Sequence, residues 1–154
     1  FMIRKAEIND KNAIVELFSE LVAHHVEKEP DFFKLPERGF FEEEISKALS
    51  DENEEIWVND NGGINAYAVL KIIDVDYPDR YPYKLCHIDC FGVKKGLRRS
   101  GIGTALMAAV KERAKELGCS KVQLKANVSN TEAVEFYEKV GFIAHAVVMT
   151  EKLK

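Results

Sequence analysis

The feature that most constrains the fold is a pair of strand-like segments joined by a tight turn. Residues 54–60, EEIWVND, and residues 64–74, INAYAVLKIID, are rich in the β-branched and aromatic side chains that favour strands. Between them, Asn61-Gly62-Gly63 supplies residues that tolerate positive φ, as a hairpin turn requires. A third strand-like segment, residues 85–93, follows a loop rich in proline and tyrosine. The sequence therefore predicts a sheet that contains an antiparallel meander.

Helical periodicity surrounds this meander, with apolar residues at spacings of three and four. The other predicted elements are helices at 10–26, 39–50, 101–117 and 130–140 and strands at 2–6, 121–127 and 142–153. Asp10 is in a position to cap the first helix, while Gly118 and Gly141 end the third and fourth. The element order βααβββαβαβ predicts a mixed sheet flanked by helices, in the α+β or α/β class.

Length and composition fit one globular domain. The chain has 154 residues, of which 46% are hydrophobic and 31% are charged. Apolar segments fall short of the roughly 20 residues that span a bilayer, and the first ten residues lack the apolar core of a signal peptide. We therefore expect a cytoplasmic protein. Phe1 precedes Met2 and is treated as an addition, so the expected domain covers residues 2–154.

The three cysteines do not indicate a disulfide framework or a zinc site, because their number is odd and their spacing fits no metal site. No metal is expected. Cys86 and Cys90 are four residues apart and are therefore expected on one face of their strand. Without a fixed His and Asp partner in view, they do not indicate a nucleophilic cysteine.

The net charge of −4 is unevenly distributed. Residues 1–80 carry 19 acidic and 9 basic side chains, whereas residues 81–154 carry 7 acidic and 13 basic side chains. Such a division is compatible with two solvated faces, or with partners of opposite charge for the two halves.

The stretch GLRRSGIGTAL, residues 96–106, joins the third strand-like segment to a helix. A P-loop requires Lys where Ile102 stands, and the dinucleotide-binding pattern requires Gly where Leu106 stands. What remains is a basic loop with two glycines at a helix N-terminus, where free N–H groups and the helix dipole bind anions. The stretch indicates a diphosphate-like ligand or, alternatively, a helix cap beside a solvated basic loop.

Two motifs, taken together and in this order, resemble the GNAT family of acetyl-coenzyme A dependent N-acetyltransferases. Arg98, Gly101 and Gly103 match the loop signature Q/R-x-x-G-x-G/A, after a strand that ends at Val93. The helix signature N-x-x-A-x-x-F-Y-x-K-x-G-F is matched by Asn130, Ala133, Phe136, Tyr137, Lys139, Gly141 and Phe142. The resemblance implies a GNAT-type, mostly antiparallel central sheet flanked by helices, with acetyl-coenzyme A as cosubstrate.

The resemblance also implies how the coenzyme is held. The backbone amides of the glycine loop would hold its pyrophosphate, and the last residues of the strand that ends at Val93 would carry its pantetheine arm. Asn130 would bind a pantetheine amide, and Tyr137 would protonate the departing thiolate. The implied coenzyme-binding residues are Phe91, Gly92, Val93, Arg98, Arg99, Ser100, Gly101, Ile102, Gly103, Thr104, Asn130, Ala133, Phe136 and Tyr137.

The base is expected near the end of the same strand, because an attacking amine must lose a proton. Asp89 lies four residues before Val93, where many relatives carry a glutamate. Alternation along the strand predicts that Asp89 and His87 share a face with Phe91 and Val93. A lone carboxylate among apolar residues costs free energy unless it is paired, which favours a functional role for Asp89. Asp89, His87 or a water molecule is the expected base.

The acidic first half fits a cationic acceptor, such as a polyamine, an aminoglycoside, a lysine side chain or a basic peptide. Glu29, Phe32, Phe33 and Asp89 are the expected acceptor-binding residues. We expect direct attack of a primary amine on acetyl-coenzyme A; the alternatives are a non-catalytic coenzyme A binding module and an ATP- or NAD-binding protein. No nucleic-acid or membrane partner is expected, and the resemblance allows a homodimer.

Overall fold

The computed structural model describes residues 1–37 and 39–154 and contains one five-stranded sheet with helices on both faces. The strands are β1 (Ile3–Lys5), β2 (Glu54–Asp60), β3 (Ile64–Val75), β4 (Tyr83–Val93) and β5 (Lys121–Leu124). The helices are α1 (Lys11–Lys28), α2 (Phe40–Ser50), α3 (Ile102–Glu116) and α4 (Thr131–Lys139). In the part of the chain described, no helix is both long enough and apolar enough to cross a membrane.

The strands lie in chain order, and the first three neighbouring pairs are antiparallel. The β2–β3 turn uses Gly62 and Gly63 at φ 74° and 120°, values that glycine adopts without the strain a side chain would add. Among the strand pairs of residues 1–37 and 39–154, only β4 and β5 are parallel, with α3 as the crossover between them. The mixed, mostly antiparallel sheet predicted from the sequence is confirmed.

The core has two layers, one on each face of the sheet. One layer packs α1 and α2 on the sheet, and its buried side chains include Ile14, Leu17, Ile45, Val58 and Tyr67. The other packs α3 on the opposite face, and its buried side chains include Leu70, Cys86, Leu106, Met107 and Val110. Because successive strand residues alternate between faces, β3 supplies both layers.

A partly buried ion pair links β2 to α3. The Glu55 carboxylate accepts hydrogen bonds from Arg113 Nη2 at 2.6 Å, Arg113 Nε at 2.9 Å and Trp57 Nε1 at 2.9 Å. The Arg113 guanidinium, opposed by burial and assisted by Trp57, lowers the pKa of Glu55 to about 2. Glu55 is therefore ionised at neutral pH, and its ion pair with Arg113 connects β2 to α3.

The predicted side-chain cap of α1 by Asp10 is wrong. Asp10 stands at the N-cap position without a capping hydrogen bond to the helix. Its carboxylate instead accepts hydrogen bonds from the backbone N–H of Glu7 at 2.7 Å and from the guanidinium of Arg4 at 2.8 Å. The charged guanidinium is the stronger partner and turns the carboxylate away from the helix.

A β-bulge interrupts β4 at Asp89. Val69 pairs with Cys90 and the next residue, Leu70, pairs with Ile88, so Asp89 is the extra residue of the ladder. An extra residue in a strand changes the face of the sheet to which each later side chain of that strand points. This bulge determines which side chains of β4 meet at the candidate site.

Two predictions about facing are wrong because of this bulge. His87 pairs with Lys71, on the face opposite the α3 layer, whereas Phe91 packs against that layer. Cys86 belongs to the α3 layer and Cys90 contacts the α1 layer, so the two thiols do not share a face. Strict alternation fails here because it assumes an uninterrupted ladder.

The predicted closing strand at 142–153 is also wrong. Residues 143–154 have no strand partner within the described chain, and every one of them is exposed. The preceding strand is shorter than predicted and ends at Leu124. A strand requires a neighbour for its backbone N–H and C=O groups, and this segment leaves the body of the protein without one.

Candidate active site

A cleft of about 960 Å³ opens beside the second half of β4. The parallel neighbour β5 pairs with β4 only over Leu85–Ile88, so β4 continues beyond the ladder on that side. The cleft is lined by the second half of α1, the end of β4, the loop before α3, residues 124–130 and one face of α4. One elongated site therefore reaches both the glycine loop and α1.

The glycine loop turns through left-handed conformations before α3. Gly96, Arg99 and Gly101 have φ values of 90°, 65° and 88°, and Arg99 is the only non-glycine with positive φ in the described ranges 1–37 and 39–154. Such turns aim consecutive backbone N–H groups to one side, which favours an anion. The loop leads into the N-terminus of α3, and its Arg98 and Arg99 side chains line the cleft.

A hydrogen bond holds the start of this loop against α1. The backbone N–H of Lys95 donates a hydrogen bond to Glu20 Oε1 at 2.5 Å. The loop is held further along by Ser100, whose hydroxyl donates to the carbonyl of Leu97. The first contact holds the loop against α1, and the second holds the turn within the loop together.

Two glycines allow close approach of backbone and aromatic rings. A Cβ at Gly92 would lie 2.9 Å from Tyr67 Cε1, and a Cβ at Gly103 would lie 3.2 Å from Phe136 Cζ. Tyr67 is fully buried, so its ring cannot swing aside into solvent. Gly92 is therefore required by packing as well as by any contact with a ligand.

An aromatic cluster positions Tyr137 at the centre of the cleft. The Phe91 and Phe136 rings stack with centroids 5.8 Å apart, and Tyr137 packs edge-on against Phe91 at 6.3 Å and Phe142 at 5.9 Å. Burial raises the pKa of Tyr137 to about 12. The phenol is therefore protonated at neutral pH and can donate a proton.

Asn130 begins α4 and lines the cleft. Its side-chain oxygen accepts a hydrogen bond from the backbone N–H of Ala133 at 3.3 Å. This bond caps the helix and leaves the side-chain amide nitrogen available as a donor. Asn130 therefore fixes the start of α4 and offers a donor at the same time.

The two candidate bases lie in different surroundings. Asp89 lines the cleft and is exposed, with its carboxylate 3.7 Å from Lys71 Nζ. The predicted cost of a lone carboxylate among apolar residues does not arise, because the bulge turns Asp89 to solvent. His87 is half-buried and does not line the cleft; burial lowers its pKa, which favours the neutral ring.

Glu29, the residue that follows α1, lines the cleft. Its carboxylate accepts hydrogen bonds from Asn127 Nδ2 at 2.8 Å and from the Ser129 hydroxyl at 3.1 Å. Beside it, the His25 and Phe33 rings lie 5.1 Å apart, and burial lowers the pKa of His25. Together these residues combine a carboxylate with an aromatic wall, a combination suited to an organic cation.

The sequence profile of the acetyltransferase (GNAT) family matches residues 16–142. The chain belongs to this family. The match includes the second half of α1, the glycine loop and the whole of α4, and therefore every wall of the cleft.

The GNAT fold recurs in solved structures along the full chain. A tetramutant of the BH1408 protein from Bacillus halodurans is 22% identical and superposes with a TM-score of 0.93, covering 99% of this chain and 100% of that one. The aminoglycoside N-acetyltransferase AAC(6')-Iy, in complex with CoA, is 15% identical with a TM-score of 0.79, covering 99% and 93%. At these identities the likeness shows a shared fold.

Three curated relatives match over shorter stretches of sequence. An N-alpha-acetyltransferase of Sulfurisphaera tokodaii is 40% identical over 57 residues, which is 36% of this chain and 34% of that protein. The alignments span 32 to 46% of the length of three curated relatives.

The structure brings most of the predicted GNAT site residues to the cleft. Those that line it are Glu29, Phe33, Asp89, Phe91, Gly92, Val93, Arg98, Arg99, Gly101, Gly103, Thr104, Asn130, Ala133, Phe136 and Tyr137. Four predicted residues lie outside the lining. Ile102 is buried in the α3 layer, Phe32 is 76% exposed and packs on Phe33, and Ser100 and His87 also lie away from it.

Sequence reasoning missed the contribution of α1 and of the segment after β5. His25, which was not among the residues selected from the sequence, lines the cleft together with Phe18, Leu21 and Val22 of the same helix. The helical period that relates Leu21 to His25 was a usable signal. No local sequence pattern indicated Asn127 and Ser129, because the residue that they contact, Glu29, lies 98 and 100 positions earlier in the chain.

Proposed function

We propose that this protein is an N-acetyltransferase that moves the acetyl group of acetyl-coenzyme A directly to a primary amine. The observation that supports this most is the meeting, in one cleft, of a basic glycine loop and the protonated phenol of Tyr137. The loop suits the pyrophosphate of the donor, and the phenol suits a departing thiolate.

The donor fits the wall formed by β4 and the loop. The backbone N–H groups of residues 99–104 and the side chain of Arg98 hold the pyrophosphate at the N-terminus of α3. The pantetheine arm lies along Phe91–Val93, where β4 extends beyond its ladder with β5 and can accept an added extended chain. Asn130 donates its side-chain amide to this arm.

The ammonium group loses two protons in the reaction, and the sulfur gains one. Asp89, directly or through a water molecule, takes the first proton from the ammonium group. The free amine attacks the acetyl carbonyl carbon and the C–N bond forms; the nitrogen then releases its second proton to solvent and the C–S bond breaks. The thiolate takes the proton of Tyr137, which recovers one from solvent. Asp89 is preferred to His87 because only Asp89 lines the cleft.

The acceptor is proposed to be a cationic small molecule or basic peptide. Glu29 and Asp89 both add carboxylates to the lining of the cleft, and Phe33 with His25 provides an aromatic wall. The ammonium group of the acceptor is attracted by the carboxylates, whereas the polyanionic donor is attracted by the basic half of the chain.

A panel assay tests the function. Thiol release from acetyl-coenzyme A is measured with polyamines, aminoglycosides, amino acids and basic peptides. We expect at least one cationic amine to accelerate thiol release over the rate without acceptor. Glu29→Gln should raise the KM for that amine. Asp79→Gln, a change on an exposed loop, should leave this KM unaltered. Failure of every amine to accelerate release would contradict the proposal.

A binding assay separates the enzyme from the alternatives. Acetyl-coenzyme A is expected to raise the Tm of the protein, whereas ATP and NAD are not. If acetyl-coenzyme A binds while the doubly substituted Asp89→Ala, Tyr137→Phe protein matches the wild type in thiol release, the protein is a coenzyme-binding module. A Tm shift with ATP or NAD alone would indicate a nucleotide-binding protein.

A further inference from the structure

Residues 95–100, the middle of the glycine loop, have one hydrogen bond to another element within the described ranges 1–37 and 39–154. That bond runs from the backbone N–H of Lys95 to Glu20 Oε1, at 2.5 Å. The Leu97 N–H donates to the carbonyl of Lys94, and the Ser100 hydroxyl donates to the carbonyl of Leu97, so these two bonds stay within residues 94–100. Between its two ends, the loop is therefore held against the body of the protein by Glu20.

The conformation of this loop is costly for the chain to keep. Arg99 has a φ of 65°, in the left-handed region that costs free energy for a residue with a side chain. Residues 94–100 are all exposed, so burial contributes little to their position. Each ordered residue also loses conformational entropy. Without an anchor, the loop would leave the conformation in which its N–H groups point to one side.

Glu20 reaches the loop from a fixed helix. It lies three residues after Leu17, which is buried in the α1 layer, so packing fixes the helix backbone at this position. Glu20 is half-buried and lines a small gap together with Gly92, Val93 and Arg98. Its carboxylate therefore meets the loop where the chain leaves β4.

A carboxylate at this position is unfavourable for the proposed donor if charge alone is considered. Coenzyme A is polyanionic, and a negative charge beside an anion-binding loop repels such a ligand. The hydrogen bond acts in the opposite direction, because an ordered loop pays less entropy when the ligand binds. The charge of Glu20 and its hydrogen bond thus have effects of opposite sign, and an experiment can separate them.

We infer that Glu20 is a positioning residue for the donor: by accepting the Lys95 N–H, it holds the glycine loop in the conformation that binds the pyrophosphate of coenzyme A. This inference rests on the proposed function, because it takes coenzyme A as the ligand of the loop. Glu20 does not line the cleft. It therefore contributes to the affinity for the donor and leaves the chemical step to Asp89 and Tyr137.

Calorimetric binding of coenzyme A to three variants tests this role. Glu20→Ala removes the charge and the acceptor, Glu20→Gln removes the charge but keeps an acceptor oxygen, and Glu16→Ala removes an exposed charge one turn earlier on α1. Glu20→Ala should raise the Kd of coenzyme A by about 3- to 30-fold, the range for a surface hydrogen bond to a charged acceptor. The other two variants should keep the wild-type Kd or a lower one. A Kd in Glu20→Ala at or below the wild-type value, or an equal rise in Glu20→Ala and Glu20→Gln, would overturn the inference.

Amide hydrogen exchange measures the loop without any ligand. In the free protein, Glu20→Ala should speed exchange at Lys95 and the neighbouring loop amides, while exchange in α3 and the far-UV circular dichroism stay unchanged. Wild-type exchange at Lys95 in this variant would also refute the role.

Steady-state kinetics adds a further check, since the KM for acetyl-coenzyme A should rise in Glu20→Ala while kcat at saturating donor is retained. A fall in kcat with an unaltered KM would contradict a role in donor binding. Wild-type protein that does not bind coenzyme A would refute the proposed function and this role together. Wild-type binding that Glu20→Ala leaves unaltered would refute this role alone.

Discussion

The ring of Tyr137 packs edge-on against the ring of Phe91, with their centroids 6.3 Å apart. Phe91 belongs to the strand proposed to carry the donor, and Tyr137 belongs to the helix on the other side of the cleft. The contact therefore fixes the phenol relative to the donor strand, and burial keeps its proton in place by raising its pKa to about 12.

Replacing Tyr137 by Phe is expected to lower kcat by about 100- to 10,000-fold, the usual contribution of a general acid. The ring remains, so the packing with Phe91 and the affinity for acetyl-coenzyme A are expected to persist. Thiol release and calorimetric binding measure the two quantities, with Tyr81→Phe as the exposed control. Equal loss of binding and rate would assign Tyr137 a packing role instead.

The acid form of Tyr137 is expected throughout the accessible pH range. Since a phenol is protonated below its pKa, and that pKa is raised to about 12, wild-type kcat should show no alkaline fall from this group below about pH 11. A pH profile of kcat at saturating substrate checks this. A fall near pH 8 or 9 that disappears in Tyr137→Phe would contradict it.

Replacing Asp89 by Asn is expected to lower kcat by about 100- to 10,000-fold near neutral pH, because the ammonium group loses its proton acceptor. The loss should diminish as pH rises, since the free amine then forms in solution. Thiol release against pH measures this, and Asp79→Asn is the exposed control. An unaltered kcat in Asp89→Asn together with a large loss of kcat in His87→Gln would show that His87 is the base.

Local patterns predicted the sheet, the four helices and the glycine loop, because each of these depends on neighbours close in sequence. Gly118 and Gly141, for example, follow α3 and α4 at φ 82° and 109°. The bulge at Asp89 could not be predicted in this way. It depends on how β4 aligns with β3, and the residues on both sides of it look like an uninterrupted strand.

Long-range contacts explain the other misses. Glu29 meets Asn127 across 98 positions, and neither residue type indicates such a contact by itself. Residues 142–153 have the composition of a strand, but a strand forms only against a partner. The local prediction was therefore wrong, because within the described residues no strand pairs with this segment.

Replacing Gly92 by Ala is expected to destabilise the protein by about 1–3 kcal/mol, the usual cost of overpacking a core. The new Cβ would lie 2.9 Å from Tyr67 Cε1, and the buried ring has no free space to move into. Urea denaturation measures the loss. In a Tyr67→Leu background the ring is absent, so the added cost of Gly92→Ala should fall; an equal cost in both backgrounds would contradict a clash.

Replacing Glu55 by Gln is expected to lower the free energy of unfolding at pH 7 by about 1–3 kcal/mol, since Arg113 loses its charged partner. The pKa of Glu55 falls from 4.5 to about 2 on folding, so its stabilisation is complete above pH 4.5 and is lost as pH falls towards 2. Wild type and variant should therefore converge in acid, as measured by urea denaturation between pH 7 and pH 3. Glu116→Gln removes the exposed partner of the same guanidinium and should cost about 0–1 kcal/mol. Equal costs for the two variants, or a gap between wild type and Glu55→Gln that stays constant with pH, would mean that the carboxylate charge does not stabilise the β2–α3 junction.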